Sequence, residues 1–291
     1  MAVPEVLRPL RIDHWHKNGF VLLGVVAALK TTPAPWDVER VWHIVVSLVS
    51  ACLMSSANYG INEILDAPFD RHHPTKRTRP LAVGTVSVSS VLLLAVLCAV
   101  ASLAIAASIG PLLVLTDVVF FMSGLAYNVP PVRAKDVPFL DVLMESANNP
   151  IRLGFGWFAI RTGSPPLSLV IAFWAIGALL MTSKRFAEFR SAGGDAFIVR
   201  YRKSFAGYTD ESLHIAMVLY ACLFAFSYGI LMQKYAPRLI LMFPFVLVFL
   251  GWWFALCYEP HSIVQEPERL IRRPWFVLYC CATFGLLVLL V

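Results

Sequence analysis

Long apolar runs separated by polar connections fill most of this chain, and within each run the apolar residues are contiguous instead of alternating. Only helices and closed barrels satisfy their backbone in lipid. A helix needs about 20 apolar residues to cross roughly 30 Å of hydrocarbon, whereas barrel strands alternate over about ten residues. The contiguous runs therefore predict an all-α fold, a polytopic transmembrane helical bundle of about nine helices. They lie at 18–30, 42–65, 86–107, 111–128, 142–160, 167–188, 212–232, 238–257 and 274–291, read as a single domain over 1–291. The first run is short: its apolar core covers only 19–29, and it needs the amphipathic residues 12–17 to complete a spanning or partly interfacial helix. The first 17 residues carry Glu5, Arg8, Arg11, Asp13 and Lys17 without an apolar stretch or a small-residue cleavage site, so no secretory signal is expected.

Composition agrees, and charge adds an orientation. Hydrophobic residues make up 58% and charged residues 14%, against about 25% charged in soluble domains. All six cysteines fall in the expected spans, where they act as small apolar residues and show neither disulfide nor zinc spacing. Of the 24 Lys and Arg, 18 fall on the N-terminus and the connections on its side. The positive-inside rule then puts the N-terminus and the long polar loops at 66–85, 129–141 and 189–211 in the cytoplasm. The expected location is the inner (cytoplasmic) membrane, with the active site facing the cytoplasm and Val291 on the far side. The net charge of +6 fits an anionic membrane surface or a phosphorylated substrate, and nothing besides it points to nucleic acid.

One polar stretch stands out from this pattern. Asn58, Asn62, Asp66 and Asp70 recur every fourth residue, so on a helix they share a face. They lie at or just inside the membrane boundary, where such groups are costly unless used. Pro68 lacks the N–H that would bond Ile64, and it biases Ala67 away from helical geometry. That predicts a helix end near Asp66, with Asp70 reaching back from a turn. A helix C-terminus carries partial negative charge, and Asn62, Asp66 and Asp70 offer the oxygens that Mg²⁺ takes beside substrate phosphates. The same side chains also fit a structural role as hydrogen-bonding glue between helices.

A basic run, 71–79, follows directly. Arg forks and Lys ammonium groups bind phosphate oxygens, so Lys76, Arg77 and Arg79 beside two carboxylates read as a diphosphate clamp. A positive-inside loop resting on anionic lipid is the plainer alternative, and His72 and His73 read as solvated. A second constellation ends the sixth span with Lys184, Arg185 and Glu188 and continues in Arg202, Lys203 and Tyr208. Lys184 and Glu188 stand four apart and also fit a simple helical ion pair. A third comprises Tyr127, Lys135 and the intramembrane Arg152, which must face a cavity, a ligand or an acidic partner such as Asp141 or Glu145.

The run Asn62-Glu63-Ile64-Leu65-Asp66-Ala67-Pro68-Phe69-Asp70 resembles the first motif of the UbiA-type membrane prenyltransferase superfamily, with Glu63 where many members have Asp. The resemblance extends from Trp15-His16-Lys17-Asn18 through the ninth span. It implies nine transmembrane helices and a cytoplasm-facing site whose two motifs, after helices two and six, hold Mg²⁺ and a diphosphate. At the second motif the chain departs from the pattern. Lys184-Arg185-Phe186-Ala187-Glu188 stands where members that prenylate aromatic rings carry aspartates. With Trp15-His16-Lys17-Asn18, His73-Pro74-Thr75-Lys76-Arg77 and Arg202-Lys203-Ser204, the chain is similar to the decaprenyl-phosphate phosphoribosyltransferase branch. Members of that branch attach 5-phosphoribose from phosphoribosyl diphosphate to a polyprenyl phosphate. Their reaction gathers more anions than prenylation does, so exchanging carboxylates for Lys184 and Arg185 moves the charge in the matching direction.

The resemblance therefore implies a Mg²⁺-dependent transferase acting on a polyprenyl lipid and a diphosphate-bearing small molecule. Asp66, Asp70, Lys184 and Arg185 are the expected catalytic residues, and Asn62, Asp66 and Asp70 the expected metal ligands. Lys17, Asn58, Lys76, Arg77, Arg79, Tyr127, Lys135, Arg152, Glu188, Arg202, Lys203 and Tyr208 are the expected substrate contacts. Two other readings stay open. One is prenyl transfer from an allylic diphosphate to an aromatic or other small acceptor, with Tyr59, Tyr127 or Phe186 walling the allylic cation. The other is transport of a lipid phosphate or anion, against which stands the clustering of charges at the cytoplasmic helix ends and not near the bilayer midplane.

Overall fold

The computed structural model describes residues 4–31, 37–71, 76–191, 202–259, 262–265 and 273–290, and no strand occurs among them. The expectations about His72, His73 and Val291 lie outside the described residues. The chain divides into two compact units, 1–165 and 166–291. The first contains α1 (Phe20–Thr31), α2 (Val38–Asp70), α3 (Val88–Ala107), α4 (Pro111–Asn128) and α5 (Leu140–Phe158). The second contains α6 (Leu167–Ser191), α7 (Asp210–Tyr235), α8 (Phe243–Cys257) and α9 (Pro274–Leu290).

Among the described residues, six helices are long and apolar enough to cross a membrane: α2, α3, α4, α6, α7, and α8 with the turn that precedes it. Of the others, α1 has 12 residues, α9 has 17, and α5 carries Asp141, Glu145 and Arg152. Local chemistry sets several helix starts. Asp37 caps α2 by accepting the Arg40 N–H at 2.7 Å, and Ser87 caps α3 through the Ser90 N–H at 3.1 Å. Thr209 and Ser212 form a reciprocal capping box on α7, both bonds at 3.0 Å.

The expected helix end near Asp66 is not observed. α2 runs 33 residues to Asp70 with Pro68 inside it. Pro68 deprives only the Ile64 carbonyl of its partner, and the Arg71 N–H still reaches Ala67 at 3.4 Å. Tertiary contacts on both sides of the proline hold the turn in place. Ala67 packs with Leu81 and Val91, and Asp70 pairs with Arg79. Local proline sterics give way here because the last turn is over-determined by its neighbours.

In the first unit α2 packs on both α3 and α4, and α1 lies along α5. Small residues allow that second contact. A Cβ on Gly24 would run into the Leu153 carbonyl, and one on Gly156 into the Val21 carbonyl and the Val25 N–H. Two helices approach this closely only through glycine or similarly small residues, which is how apolar helices associate where lipid removes the hydrophobic driving force. Polar cross-links add to it. Ser47 Oγ donates to the Phe155 carbonyl at 2.6 Å, and Ser50, Ser102 and Asp117 join α2, α3 and α4, with Ser102 Oγ 2.7 Å from Asp117 Oδ2. In the second unit α6 packs along α7, and its end is pinned by Trp253 Nε1 donating to Ser183 Oγ at 3.0 Å and Gln265 Nε2 donating to the Ala187 carbonyl at 3.2 Å.

Gly156→Val should lower the melting temperature of the detergent-solubilised protein by several degrees, an overpacking cost of about 1–3 kcal/mol. Gly229→Ala, where a Cβ meets nothing within 4 Å, should leave it unchanged. Superimposable melting curves for Gly156→Val and the parent would show that α1 and α5 do not depend on this contact.

Candidate active site

Four residues advance a helix by slightly more than one turn, so each step of the Asn58–Asp70 ladder rotates about 40° and the whole ladder about 120°. The four side chains therefore meet different partners. Asn58 Nδ2 donates to the Phe120 carbonyl at 3.1 Å, while its Oδ1 is buried without a hydrogen-bond partner. Gly124 makes room for it, since a Cβ there would collide with the Asn58 amide. Asn62 and Asp66 converge on one atom: Lys135 Nζ lies 3.1 Å from Asn62 Oδ1 and 2.5 Å from Asp66 Oδ1.

Lys135 has a third oxygen, Asn128 Oδ1 at 3.0 Å, aimed by the Asn128 Nδ2 bond to the Gly124 carbonyl at 2.9 Å. Arg133 braces the same loop. Its Nη2 lies 3.4 Å from Asp66 Oδ1, its Nε donates to Asp136 Oδ2 at 3.0 Å, and its guanidinium covers the Phe69 ring at 5.2 Å. Burial pushes the Lys135 ammonium below its usual range, an effect that Asp66 opposes. Three side-chain oxygens around one cationic atom are the donor set of a hard cation, so Asn62, Asp66 and Asn128 are residues that could hold Mg²⁺. Among the described residues no group of three His, Cys, Asp or Glu could hold a metal ion. The amide oxygens are therefore integral to that fit.

Asp70, expected beside Asn62 and Asp66, is 3% exposed and takes Arg79 Nη1 at 2.5 Å. Glu63 is also buried and accepts the Leu81 N–H at 3.4 Å, so it faces the short helical turn Pro80–Val83. Lys76 is half-buried and Arg77 exposed. Arg11 from the N-terminal segment lies over the Tyr59 ring at 5.6 Å, and burial with Arg79 nearby pushes its guanidinium down. His14 meets Tyr59 edge-on at 5.5 Å, and its Nδ1 is buried without a partner. Burial, reinforced by Lys17 and Arg11, brings His14 down to about 4. Asp13 stands 3.5 Å from it, but that carboxylate is 79% exposed and too screened to compensate.

Arg152 donates Nε to Asn18 Oδ1 at 2.9 Å and covers the Phe120 ring at 5.2 Å, with the Glu145 charge nearby. Asn18 is itself held by Cys52 Sγ at 3.2 Å and Ser55 Oγ at 3.2 Å. Lys17 precedes it, half-buried, and Tyr127 is half-buried beside Asn128.

In the second unit the expected Lys184–Glu188 pair is overshadowed. Glu188 Oε2 lies 3.2 Å from Arg185 Nη1 and 3.4 Å from Arg202 Nη1, while half-buried Lys184 adds its charge from nearby. Residues three apart on a helix meet as readily as residues four apart, and Arg185, at 2% exposure, has no water to turn to. Tyr208 is buried edge-on against Phe205 at 5.6 Å, whereas Lys203 is exposed. Two arginines and a lysine around one carboxylate leave this cluster cationic.

The sequence model of the UbiA prenyltransferase family matches residues 19–272. The chain belongs to that family. It is a transferase and a multi-pass membrane protein. The decaprenyl-phosphate phosphoribosyltransferase of Mycobacterium tuberculosis is 32% identical to it over 229 residues, 78% of this chain and 74% of that protein. The enzyme of the same name from Mycolicibacterium smegmatis is 33% identical over 233 residues, 78% of this chain and 70% of that protein. A UbiA homolog from Archaeoglobus fulgidus, solved bound to DMAPP and Mg²⁺, superimposes with a TM-score of 0.72 at 18% identity, covering 97% of this chain and 99% of that chain.

In this UbiA family member, two of the expected ligands, Asn62 and Asp66, meet at one point, and Asp70 is engaged by Arg79. Asn128, Arg133 and Asn18 carry site geometry although none of them was among the expected site residues; each lay inside a stretch that the sequence did single out. Asn128 and Asn18 stand beside expected residues, Tyr127 and Lys17, but only the fold shows which polar neighbour points inward.

Removing Arg79 strands a buried carboxylate. Arg79→Met should destabilise the protein by about 3 kcal/mol, and Asp70→Asn combined with Arg79→Met should recover most of the loss in thermal melts. A stable single variant would show the pair to be dispensable. For His14, the unfolded chain takes up a proton near its ordinary value of about 6.5, whereas the folded protein stays neutral until about 4. Stability should therefore fall as pH drops from 6.5 towards 4, and His14→Gln should flatten that slope. Identical slopes for the two proteins would mean that His14 titrates as it does in water.

Proposed function

We propose that this chain transfers 5-phosphoribose from phosphoribosyl diphosphate to a polyprenyl phosphate, releasing diphosphate, in a Mg²⁺-dependent reaction at the cytoplasmic face of the inner membrane. The observation that carries this reading is the charge at the end of α6. The carboxylate of Glu188 is taken up by Arg185 and Arg202 with Lys184 beside it, so this cluster suits phosphate groups and not a second metal ion. Two relatives named decaprenyl-phosphate phosphoribosyltransferase, each covering 78% of the chain, support the same choice over prenylation.

Asn62, Asp66 and Asn128 are the residues that would hold Mg²⁺, which supplies charge neutralisation to a departing diphosphate. Arg79, fixed by Asp70, and Lys76 and Arg77 before it present further cationic charge to the same group. Such preorganised charge costs no reorganisation as the bond breaks. Within the second unit, Arg185, Lys184 and Arg202 offer cations of the kind that bind phosphate groups. The bond between the ribose anomeric carbon and the diphosphate oxygen breaks with its electron pair leaving on diphosphate, and an oxygen of the lipid phosphate forms the new bond. That oxygen is already anionic, so no side chain has to remove a proton. Arg152, held by Asn18, adds a cation inside the helical layer for the acceptor phosphate.

Purified protein with Mg²⁺, polyprenyl phosphate and radiolabelled phosphoribosyl diphosphate should yield a labelled lipid. An allylic diphosphate with an aromatic acid should yield none. Asp66→Ala should reduce transfer by at least about 100-fold, the scale of losing a principal electrostatic contact. Prenyl transfer without phosphoribosyl transfer would overturn the proposal.

A further inference from the structure

The oxygen set assigned above to Mg²⁺ already surrounds a cation that belongs to the chain. Lys135 Nζ has Asn62 Oδ1 at 3.1 Å, Asp66 Oδ1 at 2.5 Å and Asn128 Oδ1 at 3.0 Å. An ammonium has three N–H donors, and each finds one oxygen, so Lys135 satisfies this cluster completely. Its side chain is 11% exposed and that of Asp66 17%, so solvent screens their attraction little. A divalent ion binding the same oxygens would stand within van der Waals reach of the ammonium, and at that separation two poorly screened positive charges repel strongly. Both cannot occupy the cluster at once.

The loop that delivers Lys135 is held under tension. Arg133 at φ 31° and Phe139 at φ 62° are non-glycine residues in the left-handed region, a conformation that persists only where the surroundings impose it. Arg133 and Lys135 both contact Asp66.

We propose that Lys135 is a tethered occupant of the metal position: it neutralises Asp66 while no divalent ion is bound, is displaced when the ion takes the Asn62, Asp66 and Asn128 oxygens, and then turns its charge to the incoming diphosphate. This rests on the assignment of those oxygens to Mg²⁺. The ammonium suits the second task because a lysine binds phosphate as a mobile point charge. Two consequences follow from the competition. The ion alone is held weakly, and it is held more firmly when a diphosphate arrives to receive the displaced lysine.

The test measures Mn²⁺ uptake by the full-length protein in detergent, without substrates, from the loss of the free-ion electron paramagnetic resonance signal. Lys135→Gln should bind Mn²⁺ about tenfold or more tightly than the parent, since the competing charge is gone, while Lys135→Arg should stay close to the parent. Lys135→Met, isosteric and uncharged, gives the same reading, and melting curves verify that each variant is folded. Equal, weaker or undetectable uptake in folded Lys135→Gln and Lys135→Met overturns the proposal. Asp66→Asn separates this outcome from failure of the metal assignment itself. If that variant loses uptake while the Lys135 variants match the parent, the metal site stands and the displacement does not. If Asp66→Asn binds as the parent does, the ion sits elsewhere and both fall.

Discussion

Asp66 lies near the end of a helix long enough to cross a membrane, and a carboxylate there is costly unless a cation or a hydrogen-bond donor stands against it. That requirement organises the first unit's polar end. It draws the loop after α4 onto α2 through Lys135 and Arg133, orients Asn128 through the Gly124 carbonyl, and has its counterpart one helical turn later in Asp70 with Arg79. The same constraint acts within the second unit, where Glu188 draws in Arg185 and Arg202. Asp66, Asp70 and Glu188 are thus each presented already paired with a cation.

A buried ion pair gains little net stability over well-packed apolar residues, yet removing one member is costly because the other is left unmet. A site built from such pairs holds its geometry without committing its charges permanently. Charges arranged in this way form a field that is already oriented.

Helix packing makes this arrangement possible by fixing distances in the first unit's apolar layer. Gly24 and Gly156 bring α1 and α5 into backbone contact, which holds Asn18 where it can meet Arg152. Gly124 lets α2 and α4 approach closely enough for Asn58 to reach the Phe120 carbonyl. Small residues in apolar helices read as unremarkable composition, but here they set which polar side chains can touch.

By itself the sequence determined the all-helical membrane architecture, because contiguous apolar runs have no other soluble or barrel solution. It also determined the family resemblance and the chemistry of its polar stretches, since oxygen donors and phosphate-binding cations are properties of residue types. Partners were not legible in it. The four-residue ladder suggested one common face, yet a helix rotates with each step, and only packing decided that Asn62 and Asp66 share Lys135 while Asp70 turns to Arg79. Pro68 read as a helix end, and only contacts from Leu81, Val91 and Arg79 kept the helix going. Asn128, whose oxygen completes the set around Lys135, is one asparagine among several in the chain, and its direction is a long-range fact that no local pattern encodes.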